Sequence, residues 1–113
     1  MDRKITKEAG ATYDLLHPLL DVTYKEIKEL SKKNPDSPLN AFKVKSINRV
    51  LEPIKELLQF EDTAPFLDIL DSDFIPTNSD VVMILSQYMQ SMQLYKDQYY
   101  FWDRKDGEHK WRT

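Results

Sequence analysis

Three polar side chains near the start of the chain have the spacing of a metal site. Asp14, His17 and Asp21 are three and four positions apart, so a helix would put them on one face. Carboxylate and imidazole groups are common ligands of transition metals. The same face also carries Lys25 and Lys28, and no second histidine is near in sequence. We therefore interpret the face as polar and solvated, keep the triplet as the metal alternative, and expect no cofactor.

The acidic connection over residues 61–73 has the side-chain types that bind calcium or supply acid–base catalysis. Asp71-Ser72-Asp73 begins like a calcium loop, but Pro76 stands where such a loop needs glycine and Val82 where it needs glutamate. Nothing in the spacing of the carboxylates sets their separation or splits their pKa values. Neither His17 nor His109 has a recognisable nucleophile nearby. The sequence therefore indicates no catalytic residues.

The aromatic residues of the C-terminal third are the most unusual feature of the composition. Aromatic side chains offer large, rigid contact area, which favours protein interfaces and ligand walls. An aromatic stripe at helical spacing is, however, also typical of a core. The candidates for facing a partner or a ligand are Tyr88, Tyr95, Tyr99, Tyr100 and Trp102.

Length and composition predict a single globular domain over residues 1–113. The hydrophobic fraction is 41% and the charged fraction 31%, enough for one core with solvated helix faces. Cysteine is absent from the sequence, which excludes disulfides, thiolate nucleophiles and cysteine zinc sites. We find no apolar stretch long enough for a membrane span and no signal-peptide pattern. The prediction is a cytoplasmic protein with no membrane partner.

Charge is segregated along the chain. Residues 1–55 carry eleven basic and eight acidic side chains, whereas residues 56–95 carry seven acidic side chains and no basic one. Such asymmetry can steer self-association or a charged partner, although acids at helix starts and in loops would produce the same pattern. The net charge of −3 and the acidic middle argue against a nucleic-acid partner, which would use the Lys-rich N-terminal half.

Apolar periodicity predicts the helices. The first runs from about Thr12 or Asp14 to Lys33, and the second from Pro38, with Ser37 as its cap, to about Gln59. Pro18 and Pro53 either kink or break these helices. A short helix is expected from Pro65 to about Asp71, with Phe66 covering one end of the core. Phe74 and Ile75 are expected to be extended and tucked inward.

The strongest signal is a heptad-like seam from Thr77 to Trp102. Thr77 and Asp80 form a capping-box pattern at its start. Its apolar positions alternate in steps of four and three: Val81, Leu85, Tyr88, Met92, Tyr95, Tyr99 and Trp102. A hairpin starting near Tyr99 and turning at Asp106-Gly107 is the alternative. The helix is favoured because the seam stays in phase.

These elements predict an all-α fold, a small antiparallel bundle of three long helices and one short helix. Residues 1–11 and 104–113 are expected to be loosely ordered, with a C-terminal hairpin or tail as an option. The leading functional hypothesis is a non-enzymatic protein–protein interaction or regulatory module that self-associates through its aromatic last helix. One alternative is a small-molecule-binding protein or enzyme with a pocket between that helix and the acidic 61–73 connection. Another is a nucleic-acid-associated protein.

Overall fold

A computed structural model of the chain describes residues 3–113 as three α-helices, a short 3-10 helix and a β-hairpin. The order is α1 (Lys7–Lys33), α2 (Ala41–Leu57), the 3-10 helix Ala64–Phe66, α3 (Asn78–Tyr99), β1 (Tyr100–Asp103) and β2 (Glu108–Trp111). The prediction of an all-α bundle with three long helices and one short helix is therefore wrong. The described chain is mostly helical, but it carries a two-stranded sheet and does not form a four-helix bundle.

α1 begins earlier than the apolar periodicity indicated. The Thr6 hydroxyl accepts a hydrogen bond from the Ala9 amide at 3.0 Å, which makes Thr6 the N-cap. The helix then continues through Pro18 to Lys33. Residues 7–11 are thus helical, whereas the sequence suggested a loose lead-in over 1–11. Residues 1 and 2 of that lead-in lie outside the described residues.

α2 also starts at a different cap from the predicted one. Asn40, not Ser37, is the N-cap, and its side chain accepts from the Lys43 amide at 2.8 Å. Pro38, predicted as the first helical residue, instead forms an antiparallel bridge with Thr77. The helix runs through Pro53 to Leu57, so this proline does not split it.

The seam of the third helix is confirmed along most of its length. Thr77 caps α3 by accepting from the Asp80 amide at 3.3 Å. The buried seam positions are Val81, Leu85, Tyr88, Met92, Tyr95 and Tyr99. Trp102 is the exception because α3 ends at Tyr99 and Trp102 lies in β1, where it is 54% exposed.

α1 packs against both other helices. Near its start, Tyr13 stacks on Tyr95 of α3 with ring centroids 5.8 Å apart. Beyond its end, the Asn34 carbonyl accepts a hydrogen bond from Asn78 Nδ2 at 2.8 Å. α1 therefore runs antiparallel to α3.

α2 and α3 begin at the same end of the molecule, where Pro38 pairs with Thr77, and their other ends meet where Tyr99 bonds Glu61. They therefore run in the same direction and are joined by a crossover connection, residues 58–77.

The crossover is extended where a short helix from Pro65 to Asp71 was predicted, so only a 3-10 turn remains of that helix. Asn48 of α2 holds Leu70 by two hydrogen bonds, from Asn48 Nδ2 to the Leu70 carbonyl at 2.8 Å and from the Leu70 amide to Asn48 Oδ1 at 3.0 Å. The Tyr88 hydroxyl of α3 donates to the Asp68 carbonyl at 2.9 Å. The segment therefore lies between α2 and α3 and fills the core there.

The C-terminal residues form the hairpin that the sequence offered as an alternative. The strands pair antiparallel, with Tyr100 opposite Trp111 and Asp103 opposite Glu108. Gly107 turns the chain with φ of +64°, a conformation that glycine adopts without strain. The prediction that the helix continues to Trp102 is wrong, and residues 108–111 form a strand where a loose end was expected.

The hairpin packs on the start of α1. Trp111 lies edge to face against Tyr13, with ring centroids 4.8 Å apart, and its Nε1 donates to Asp14 Oδ2 at 3.3 Å. The Ile5 amide donates to the Arg112 carbonyl at 2.7 Å. Both ends of the described chain are therefore joined in one packed unit.

Candidate functional site

The structure places three of the five aromatic candidates inside the core. Tyr88, Tyr95 and Tyr99 are each at most 3% exposed, so none of them presents a surface to a partner. The Tyr99 hydroxyl donates to the Glu61 carboxylate at 3.1 Å. Burial raises the pKa of Tyr95 to about 12 and raises the pKa of Tyr88 as well. These phenols therefore stay protonated near neutral pH and serve the packing of the core.

The other two candidates lie on the hairpin. Tyr100 is partly buried between Trp111, at 4.7 Å between ring centroids, and His109, at 5.2 Å. Trp102 meets His109 edge to face at 5.1 Å but leaves 54% of its surface open. Of the five aromatic candidates, Trp102 therefore has the largest exposed face.

The metal candidates are engaged in other interactions. Asp14 accepts from the Trp111 indole, His17 stacks on Tyr13 at 5.5 Å, and Asp21 pairs with Lys25 at 2.9 Å. Within residues 3–113, no group of three or more histidine, cysteine, aspartate or glutamate side chains is arranged to hold a metal ion. Asp14, His17 and Asp21 are therefore parts of the α1 surface and of its contact with the hairpin.

A groove of about 450 Å³, lined by both apolar side chains and aspartates, lies between the crossover and the first turns of α3. We call it the acidic groove and define it by Asp68, Asp71, Phe74, Asp80, Met83 and Ile84. Two of its apolar side chains are open to solvent: Phe74 is 85% exposed and Met83 60% exposed. The groove thus presents a surface that gains by covering its apolar part.

Local hydrogen bonds position the two sides of the acidic groove. On the crossover, Asp71 Oδ1 accepts from the amides of Asp73 at 2.8 Å and Phe74 at 3.3 Å, a turn that presents Phe74 to solvent. On α3, the Thr77 cap places Asp80 in the first helical turn, where a negative charge is favoured by the helix dipole. Sequence reasoning located these acids but expected Phe74 to point inward, which is wrong.

The rim of the acidic groove carries negative charges that no ion pair offsets among the described residues. Its three aspartates come from the 56–95 stretch that has no basic residue. In the part of the chain that the structure describes, every ion pair lies in α1 or in the hairpin. The groove is therefore a site of negative potential next to exposed apolar surface.

Comparison with known proteins finds no match. No family model, no curated protein and no solved structure matches the chain.

Two further cavities lie at the other end of the molecule, near the end of α3. One, of about 680 Å³, is lined by Arg3, Thr6, Phe60, Glu61 and Tyr99 among others. The adjoining one, of about 490 Å³, lies between α3 and the start of the crossover, with Glu61 and Tyr95 in its wall. A hydrogen bond to Tyr99 raises the pKa of the Arg3 guanidinium. The cavity of about 490 Å³ lies at the beginning of the 61–73 connection.

Exposed phenylalanines are the surface feature that sequence reasoning missed. Phe66, expected to cover the core, is 68% exposed, and Phe42, Phe60 and Phe74 are 78%, 80% and 85% exposed. Phe66 and Phe74 were both expected to face the core, and the structure shows that both expectations are wrong. For Phe42 and Phe60 the sequence analysis made no prediction.

For the described residues, no helix has both the length and the apolar character to cross a membrane.

Proposed function

We propose that the protein is a non-enzymatic protein–protein interaction module whose acidic groove binds a basic amphipathic segment of a partner protein. The observation that carries the proposal is the combination of exposed apolar side chains, Phe74 and Met83, with aspartates that form no ion pair in the described chain. An amphipathic helix docks its apolar face into such a groove, and lysines beside that face would meet the rim.

The proposal moves the interaction surface away from the aromatic helix. Tyr88, Tyr95 and Tyr99 hold the core together, so a partner could reach them only by unpacking it. The acidic rim also disfavours a nucleic acid at this groove because phosphates would be repelled. We place the module in the cytoplasm as part of the same proposal, in keeping with a sequence that has no cysteine.

The test uses a fluorescein-labelled 18-residue probe peptide with leucines on one helical face and lysines elsewhere. Fluorescence anisotropy at low salt should give saturable binding with a dissociation constant of tens of micromolar, an order-of-magnitude expectation for a small groove. A scrambled peptide of the same composition should bind much more weakly, because its leucines do not share a face. Equal binding of the two peptides would refute groove docking.

Matched variants locate the binding. Asp71→Asn/Asp80→Asn should weaken binding about fivefold, since each exposed ion pair contributes roughly 0.5 kcal/mol. The control Glu8→Gln/Glu26→Gln makes the same change in net charge, also with one first-turn acid, and should have little effect. If both double variants weaken binding equally, the peptide is responding to net charge alone and the proposal fails.

The apolar half of the groove has its own pair of variants. Phe74→Ala should weaken binding of the probe peptide, because it removes an apolar side chain that is 85% exposed before binding. Phe66→Ala removes an equally large side chain, 68% exposed, outside the groove and serves as the control. Binding that is insensitive to Phe74→Ala would exclude a hydrophobic contact.

A small-molecule-binding role is the second candidate, favoured by the cavity of about 490 Å³ between α3 and the start of the crossover. Arg3, Glu61 and Asp62 are among its polar lining residues. A thermal-shift screen against metabolites tests it, since a ligand at one hundred times its dissociation constant stabilises by about 2.7 kcal/mol. A hit should disappear in Glu61→Gln, and a panel without hits would count against this role.

A further inference from the structure

The solvent face of α2 carries a regular stripe of exposed side chains. We call it the α2 stripe: Phe42, Lys45, Arg49, Glu52 and Glu56, which follow one another in steps of three and four. All five are exposed, while the opposite face of the helix is buried in the core. Residues at this spacing lie along one side of a helix, so the stripe is continuous over the length of α2.

The charges of the stripe are ordered in two blocks. Two basic residues, Lys45 and Arg49, are followed by two acidic ones, Glu52 and Glu56. Neighbours four positions apart therefore carry like charges, which repel along a helix. In the described chain none of these four side chains belongs to an ion pair. A single copy thus leaves the order of charges uncompensated.

An antiparallel second copy of α2 compensates every charge in the stripe. A two-fold axis at the height of the Val50–Leu51 peptide puts Lys45 opposite Glu56 of the second copy and Arg49 opposite Glu52. The symmetry repeats both pairs, so four ion pairs form. A parallel arrangement would instead set Lys45 against Lys45. The charge order is therefore self-complementary in one orientation, as a closed two-fold interface requires.

Exposed phenylalanines lie at the ends of this surface. Phe42 begins the stripe and is 78% exposed. In the antiparallel arrangement it reaches the residues just beyond the end of α2 in the second copy, where Phe60 is 80% exposed. Apolar contact at both ends would flank the ion pairs in the middle, over a helix roughly 26 Å long.

We propose that two copies of the chain associate through their α2 stripes as an antiparallel dimer. The stripe shares no residue with the acidic groove, so a test of the dimer is independent of a test of the proposed function. Its contact area is small and its centre is charged. The dimer is therefore of moderate affinity and weakens as salt screens the ion pairs.

Sedimentation velocity from 10 µM to 1 mM tests the dimer. At 50 mM NaCl we expect a monomer–dimer equilibrium with a dissociation constant of about 10–100 µM. At 500 mM NaCl the dissociation constant should rise several-fold, because salt screens the ion pairs. Lys45→Glu/Arg49→Glu turns all four pairs into repulsions and should weaken the dimer at least about 30-fold. Lys43→Glu/Lys55→Glu makes the same charge change on α2 outside the stripe and should keep most of the affinity.

Charge reversal in the other block provides a rescue that a folding defect cannot imitate. Glu52→Lys/Glu56→Lys alone should weaken the dimer by a similar factor, at least about 30-fold. An equimolar mixture with Lys45→Glu/Arg49→Glu should form heterodimers, because every facing pair is again opposite in charge. The protein with all four reversals should form homodimers only if the helices are antiparallel. A wild type that is monomeric at 1 mM, or a mixture that stays monomeric, overturns the proposal.

Discussion

The contact between Gly10 and Trp111 allows a prediction in which tertiary packing reverses the sign of a local effect. Gly10 lies inside α1, and glycine in a helix interior is about 0.8–1.0 kcal/mol less favourable than alanine. On propensity alone, Gly10→Ala should therefore stabilise the protein by about 1 kcal/mol. The structure leaves no room for the added methyl group. A Cβ at Gly10 would lie 2.8 Å from Trp111 Cδ1 and 3.0 Å from Cγ.

The indole cannot easily move aside, because it is held from several directions. Trp111 packs against Tyr13 at 4.8 Å and Tyr100 at 4.7 Å between ring centroids, and its Nε1 donates to Asp14. Overpacking of this kind typically costs 1–3 kcal/mol. Set against the propensity gain, Gly10→Ala should lower the free energy of unfolding by about 1 kcal/mol.

A double-mutant cycle separates the two contributions. When Trp111→Ala removes the indole, Gly10→Ala should become stabilising by about 1 kcal/mol, so the coupling is about 2 kcal/mol. Urea denaturation followed by circular dichroism measures all four proteins. In a Trp102→Phe background, Trp111 is the only tryptophan, and Gly10→Ala should shift its emission to the red. A gain of 1 kcal/mol in both backgrounds, with unchanged emission, would refute the reasoning.

Two further predictions concern the core. Asn48→Ala removes both hydrogen bonds to Leu70, a residue only 4% exposed, and should lower the free energy of unfolding in urea by about 2 kcal/mol. The control Gln93→Ala loses an exposed hydrogen bond and should lower it by under about 0.5 kcal/mol. Equal losses in the two variants would contradict this prediction. Burial raises the pKa of Tyr13 and of Tyr95 to about 12, from about 10 when unfolded. Between pH 10 and 12 the folded state therefore holds phenol protons that the unfolded state has released. The contribution of the two tyrosines to the free energy of unfolding is full below pH 10 and is lost as the pH rises toward 12. That contribution is about 2–3 kcal/mol each, and a free energy of unfolding that stays constant between pH 9 and 11.5 would rule it out.

The sequence alone determined the elements whose signal is local. The seam from Val81 to Tyr99 was predictable because a period of 3.6 residues marks a buried helix face wherever that face packs. The Thr77 cap was predictable because its hydroxyl bonds an amide only three residues away. The segregation of acids into residues 56–95 was equally plain. It located the acidic rim without indicating what lay beside it.

Tertiary structure decided the features that depend on residues far apart in the chain. Helix and hairpin competed after Tyr99, and the hairpin packs against α1 through contacts such as Trp111 with Asp14, 97 positions away. The crossover is extended because Asn48 and Tyr88 supply hydrogen bonds to it from two helices. The exposure of Phe74 follows from that path. Local propensities for competing conformations differ by less than such packing contributes, so only the assembled chain selects among them.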